Sequence, residues 1–225
     1  KIFFLMSSAY FLSTRDKLFS FVPYVAFAGA CAVLLVAAKE LGTGLLFCGT
    51  FLILFFAATG RVFLTLFGVG VFGAGACASY YVFPHVRTRV EVWLDPWASY
   101  NAQGYQIVQG LMALASGGLF GVGLGNGMPE VIPASHTDYI FSVIGEEFGI
   151  LFAAIVIVFY LVFIVRGMLI ALDARETYDA LLVFGCTCML SLQAFIIIGG
   201  VIKLIPLTGI TLPFISYGGS SLLSS

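Results

Sequence analysis

Charge is what this sequence has least of. Only 9% of its residues are Asp, Glu, Lys or Arg, against roughly 25% in soluble globular domains, which excludes that class. A basic surplus is also missing: the formal net charge is -1 and the pI is near 6.1, so the electrostatic footprint of a nucleic-acid binder is absent and nucleic acid is not an expected partner. The five cysteines (Cys31, Cys48, Cys77, Cys186 and Cys188) all fall inside apolar runs, where a thiol behaves as a small hydrophobe. No Cys or His spacing resembles a zinc site. No internal repeat is evident, which weighs against an inverted-repeat transporter. The chain has no initiator Met or signal peptide, begins at Lys1 in mid-run and stops abruptly at Ser225; the expectation is a fragment of a longer membrane protein.

What is present is apolar: 61% hydrophobic residues and a mean hydropathy of +1.10. A bilayer core of roughly 30 Å needs about 20 apolar residues per helix, and several runs approach that length. The reading is an all-α polytopic membrane protein, 1–225 forming one partial membrane domain. Spans are expected over Lys1–Leu12 (partial), Leu18–Ala38, Leu45–Thr59, Val62–Phe83, Phe148–Val165 and Ala180–Val201, with another beginning near Ser220. Short connectors on one side, 13–17, 60–61 and 166–179, hold Arg15, Lys17, Arg61, Arg166 and Arg175. The positive-inside rule places them in the cytoplasm, and the longer loops with Lys39, Arg87, Arg89 and Lys203 face outward. Clustered glycines at 68, 70, 73 and 75 suit close helix packing.

The outer loop 84–147 is the large extracytoplasmic feature and holds most of the acids; loops beyond about 15 residues are commonly functional. Within it, Trp93 and Trp97 flank Asp95-Pro96, a turn suited to the headgroup level. The stretch 104–115 puts Tyr105, Val108, Met112 and Ala115 on one face with Gln106 and Gln109 beside it, as in an amphipathic or re-entrant helix. The glycine-rich stretch 117–127 reads either as a backbone cradle for phosphate or as a flexible re-entrant loop.

Asp138 is the acid that most needs a reason, because carboxylates at a membrane edge are functional candidates by default. Ser135 or Thr137 would cap a helix running through Val165. A straight helix would then lift Asp138 roughly 15 Å above a hydrocarbon edge at Phe148. Asp138, Phe141, Ser142, Gly145 and Gly149 would share a face, with Glu146 at its border and Glu147 pointing away. Asp138 reads equally as a first-turn acid serving the helix dipole or as a catalytic group; the helix end would lower its pKa, against the needs of a base. His85 and His136 read as interfacial or structural.

Five ordered motifs then carry a family resemblance: Trp93-Leu-Asp-Pro-Trp97; Gly104-Tyr-Gln106; Ala115-Ser-Gly-Gly-Leu119 with Gly121 and Gly123-Leu-Gly125; His136-Thr-Asp-Tyr-Ile-Phe141 with Gly145-Glu-Glu147; and Pro206-Leu-Thr-Gly209 with Leu212 through Ser221. Together they resemble the SEDS family of FtsW, RodA and SpoVE proteins. The resemblance implies a ten-span fold, with three spans and most of a fourth lying before this chain and most of the tenth after it. It also implies polymerisation of lipid II into peptidoglycan strands in division, elongation or sporulation. The implied partners are lipid II, membrane lipid, a class B penicillin-binding protein that crosslinks the strands, and other elongasome or divisome proteins.

By the same resemblance Asp138 is the catalytic residue. Lys1 is matched to a lysine that meets an acid, here Glu40, and Glu130 matches an acid of some members; these three, with His136, Thr137, Lys203, Ser216 and Ser220, are substrate-binding or supporting positions. Ile197 stands where an Asn is often found. Joining an α-linked glycosyl diphosphate to a hydroxyl with a β product is inversion, so one displacement and one base suffice, and Asp138 would take the acceptor proton. A divalent cation (Mg or Mn), Arg87, Arg89 or Lys203 would neutralise the leaving diphosphate. No metal ligands are identified, since magnesium on phosphates needs only one or two carboxylates. The rival readings are a lipid II flippase and a non-catalytic scaffold of the cell-wall machinery.

Overall fold

The computed structural model describes residues 1–14, 29 and 41–219. Glu40, Ser220 and the expected spans over 18–38 and from 220 lie outside the described residues. Seven α-helices are described: α1 (Ile2–Ser13), α2 (Leu41–Thr59), α3 (Val62–Val82), α4 (Pro84–Leu94), α5 (Gly104–Ser116), α6 (Ile140–Asp173) and α7 (Thr177–Val201). Among the described residues there is no strand. Helices α2, α3, α6 and α7 are long and apolar enough to cross a membrane, as hydropathy leads one to expect.

Two compact units are formed. The first takes Lys1–Cys77 with Val162–Leu192, the second Ala78–Leu161 with the stretch from Gln193 onward. In the first, α1 packs on α2 through the edge of Phe4 on Phe47, ring centroids 4.6 Å apart. Gly185 of α7 lets Leu5 and Leu54 approach to 3.2 Å of where its Cβ would be. Small residues thus allow the close packing that membrane helices need.

In the second unit the outer loop is largely built, with α4, α5 and a 3₁₀ turn at Pro129–Val131. Helix α5 lies where a helix was expected; it buries Gly104, Ile107, Val108, Gly110 and Ala113, while Met112 and Ala115 are exposed. One expectation is corrected at α6, which starts eight residues before the expected Phe148 and ends eight after Val165. Arg166 lies inside it rather than in a connector, which shrinks to 174–176.

Helix α6 is also broken. Gly149 has φ 84 and ψ 171, a region open essentially to glycine alone. A helix break orphans carbonyls on one side and amides on the other, and a membrane protein must satisfy these from within. The glycine-rich stretch does so. Val122 and Gly123 donate their amides to the carbonyls of Glu146 and Glu147 at 2.9 and 3.0 Å, while Ile150 and Leu151 donate to the carbonyls of Gly118 and Leu119 at 3.0 and 3.4 Å. Side chains are excluded from this crossing: a Cβ on Gly149 would strike the backbone of Leu119 and Gly121, and one on Gly117 or Gly121 that of residues 145–147.

The core of this unit joins Ala113, Ile132, Tyr139, Phe141, Tyr160, Ile197, Val201 and Leu212. Ile197, where the resemblance led one to look for Asn, is 1% exposed and belongs to this apolar cluster. Tyr139 is fully buried and its ring lies where Gly110 of α5 has no side chain.

The break yields a prediction. Gly149→Ala places a Cβ where backbone already stands and forces a glycine-only conformation, so a loss of at least roughly 1–3 kcal/mol is expected. Gly73→Ala on α3, where a Cβ meets nothing within 4 Å, should stay within about 0.5 kcal/mol of wild type. Thermal unfolding of the two variants in detergent, compared with wild type, checks the difference.

Candidate active site

Asp138 stands in the second unit, in the turn 133–138 that precedes α6. This turn is organised by one carbonyl. Ala134, at φ 56, accepts from the amides of Thr137, Asp138 and Tyr139 at 3.2, 3.1 and 3.4 Å, and from the Thr137 hydroxyl at 3.3 Å. Neither Ser135 nor Thr137 caps α6, and no acid lies in its first turn; the turn spends its own hydrogen bonds internally. Asp138 lies two residues before α6 rather than in its first turn, and because Gly149 breaks α6, a height counted along one straight helix does not apply to it.

The turn is fastened to the loop that follows α7. Ser216, 1% exposed, accepts from the Leu212 amide at 2.8 Å and donates to the Thr137 carbonyl at 2.6 Å. The Tyr217 amide donates to the His136 carbonyl at 2.9 Å. Two spans hold the same loop: Gln193 of α7 donates to the Thr211 carbonyl at 2.7 Å, and the Tyr160 hydroxyl of α6 donates to the Pro213 carbonyl. His136 contributes its backbone while its side chain is exposed.

Another residue of that loop, and one of α4, complete the surroundings of Asp138. Gly209, at φ 71, turns its bare side so that a Cβ there would lie 3.6 Å from Asp138 Oδ2 and 4.0 Å from Arg89 Nη2. Arg89 is steadied by donating from Nη1 to the Leu207 carbonyl at 3.2 Å. Half-buried Asp138 has its pKa raised above the ordinary aspartate value: burial penalises the charged form, and the Thr137 hydroxyl and the Arg89 charge only partly oppose this. Burial, with the Asp138 charge beside it, also pushes the Tyr139 phenol upward. The direction for Asp138 is the reverse of what a helix end would impose, and it is the one a general base needs.

The other expected positions fall elsewhere. Lys203, at φ 62, lies nearby in sequence to this loop, but its ammonium points to the Leu94 carbonyl at 3.4 Å and its own carbonyl accepts from Trp93 Nε1 at 3.0 Å. It ties the end of α4 to the end of α7. Arg87 pairs with Glu91 at 2.7 Å on an exposed face. Lys1 opens α1 in the first unit, and its expected partner Glu40 is outside the described residues. Glu130 lies on the 3₁₀ turn and, with Gly125, Gly127, Met128 and Glu147, lines an open cavity of about 410 Å³ that Asp138 does not line.

Glu146 and Glu147 serve the loop. Glu147 accepts from the Gly125 amide and Glu146 from the Met128 amide, each at 3.3 Å. The second oxygen of Glu146 is buried without a hydrogen-bond partner. Together with the bonds across the break, these contacts occupy the amides of Val122, Gly123, Gly125 and Met128, so the glycine-rich stretch is neither a free phosphate cradle nor a loose loop. Among the described residues no group of three or more His, Cys, Asp or Glu comes together. They do not build a metal centre of their own; a magnesium or manganese ion would need most of its ligands from substrate phosphates and water.

Sequence reading missed the roles of Gly209, Gln193 and Gly149. The first is a relation among distant segments. For Gly149 a signal did exist, a glycine following two acids at the head of an apolar run.

Comparison with known proteins agrees with this architecture. The sequence matches the FtsW, RodA and SpoVE family, described as "Cell cycle protein", over residues 1–225. It is 45% identical over 191 residues to peptidoglycan glycosyltransferase RodA of Mycobacterium tuberculosis, covering 85% of this chain and 41% of that protein. It is 37% identical over 226 residues to stage V sporulation protein E of Bacillus subtilis, covering 95% of this chain and 60% of that protein. The chain thus spans less than two thirds of the length of these relatives. A solved chain from work titled "Structural coordination of polymerization and crosslinking by a peptidoglycan synthase complex" superposes with a TM-score of 0.79 at 24% identity, over 98% of this chain and 63% of that one, which shows a shared fold. With its multiple apolar spans, this multi-pass membrane protein belongs to the FtsW/RodA/SpoVE family.

Proposed function

We propose that this chain carries the catalytic outer face of a peptidoglycan glycosyltransferase that polymerises lipid II into glycan strands, with Asp138 as general base. The observation that carries the reading is the state of Asp138: half-buried, with its pKa raised by burial, in a turn clamped by Ser216 and Tyr217 and beside Arg89 and Gly209. Family membership supplies the chemistry, since RodA relatives are named peptidoglycan glycosyltransferases.

In the proposed step the acceptor's 4-hydroxyl oxygen bonds to the anomeric carbon of the donor as the bond from that carbon to the diphosphate breaks. The electron pair leaves with the diphosphate, and the hydroxyl proton passes to the Asp138 carboxylate. Inversion follows from the single displacement. The site faces outward in this reading, because the connector residues Arg61 and Arg175 mark the opposite side as cytoplasmic. The solved chain of the same fold belongs to a peptidoglycan synthase complex that coordinates polymerisation and crosslinking, which supports a crosslinking class B penicillin-binding protein as partner.

Two outcomes test the reading on the full-length protein. Asp138→Asn should lower lipid II polymerisation by on the order of 10²- to 10⁴-fold, the usual worth of general-base help, as read from glycan products on a gel. Because burial disfavours the charged carboxylate, stability is withheld above the raised pKa and regained as pH falls through it. Asp138→Asn should therefore match or exceed wild type in melting temperature at neutral pH; wild-type polymer yield from it would overturn the assignment. Movement of lipid II between leaflets of proteoliposomes, unaffected by this change and without polymer, would point to transport instead. Second, the acid limb of kcat/KM for the wild type should fall at a pH above the ordinary aspartate value of about 3.9. An inflection at or below that value would contradict the burial argument.

A further inference from the structure

Opposite charges in one site ordinarily close into a pair, as Arg87 and Glu91 do at 2.7 Å. Arg89 and Asp138 do not: among the described residues they make no ion pair within 4.0 Å, yet they are near enough for the guanidinium to pull down the pKa of the acid. Each is pinned from its own side. Arg89 is held by the Leu207 carbonyl, and Asp138 by its turn, through the Ala134 carbonyl. Between them lies the bare face of Gly209, whose φ of 71 turns the missing side-chain position to within 3.6 Å of the carboxylate and 4.0 Å of the guanidinium. Gly209 is itself exposed, so the gap opens outward.

We propose that this gap is the reacting slot, with Arg89 binding the leaving diphosphate, Asp138 receiving the acceptor proton, and Gly209 keeping the space between them open. The inference rests on the glycosyltransferase reading above and assigns its diphosphate subsite. Of the three basic side chains in this unit's outer segments, Arg87 is neutralised by Glu91 and Lys203 is turned to the Leu94 carbonyl. Arg89 alone among these faces the acid. Its planar fork can engage two phosphate oxygens at once, which an ammonium cannot. The slot also sets an order of events. Free, the guanidinium holds the Asp138 pKa down; with a diphosphate on it that influence is offset, and the base strengthens as substrate arrives. The groups acting on Asp138 are the Thr137 hydroxyl and Arg89.

The test uses full-length protein with its crosslinking partner, lipid II as substrate and inorganic pyrophosphate as the probe. For wild type, pyrophosphate should compete with lipid II, and the acid limb of kcat should lie at higher pH than that of kcat/KM. Arg89→Gln should lower kcat by on the order of 10²-fold, the usual cost of losing one charge-stabilising donor, and should move the acid limb of kcat/KM upward by removing the opposing charge. Arg89→Lys, which keeps the charge and guards against misfolding of the Gln variant, should hold the acid limb in place while weakening pyrophosphate competition at least about tenfold. Wild-type kcat in Arg89→Gln, or pyrophosphate competition unchanged in Arg89→Lys, would overturn the slot. If Asp138→Asn still polymerises, the underlying reading falls whatever Arg89 does; if it is inactive while both Arg89 variants behave as wild type, only the slot falls.

Discussion

The structure depends on one obligation: a helix interrupted at Gly149 must find partners for the backbone groups the interruption strands. In water such groups would be solvated at little cost. Beside a bilayer each would cost several kcal/mol if left alone, so another stretch of backbone has to be brought against the break. The run from Gly117 to Gly123 provides it, and it can do so only because Gly117, Gly121 and Gly149 present no side chain at the crossing. The glycines that look like a flexible loop are the condition for a rigid one.

Rigidity at the break propagates to the acid. The piece of α6 from Ile140 to Phe148 carries Phe141 into the core, and Tyr139, just before it, fills the space over Gly110. Asp138 follows with little freedom left. Its carboxylate stays partly shielded from water because its neighbours are fixed, and that shielding is what raises its proton affinity against the pull of Arg89. A mobile turn would hydrate the acid and return it to ordinary behaviour. Preorganisation of this kind, with the reacting groups held before substrate arrives, is the general source of catalytic electrostatics.

Hydropathy located each described span, and it placed the ends of α2, α3 and α7 within a few residues. It failed on α6 because Glu146, Glu147 and Arg166 resemble end markers. The two acids are instead bound to loop amides inside the protein, so their charge does not mark a boundary with water. Motifs around Asp138 and Ser216 were legible from the family resemblance, but the residues that set the acid's environment were not. Arg89 reaches Leu207 across 118 residues of sequence, and Gly209 faces Asp138 from a loop far along the chain, beyond the reach of any local periodicity. Secondary-structure patterns describe one element at a time, and this site is assembled from α4, the turn before α6 and the loop after α7.

The hydrogen bonds across the break run residue against residue, from 118, 119, 122 and 123 to 150, 151, 146 and 147. A pairing of that form has a register, as a sheet does. One residue added to or removed from either segment would slip every bond at once and rotate the outer helical piece by about 100°, carrying Tyr139 out of its seat. The crossing therefore fixes length as well as identity: both segments must keep their number of residues, and Gly117, Gly121 and Gly149 must keep their bare backbones, whereas a side chain elsewhere along the two segments can change without moving a single one of these bonds.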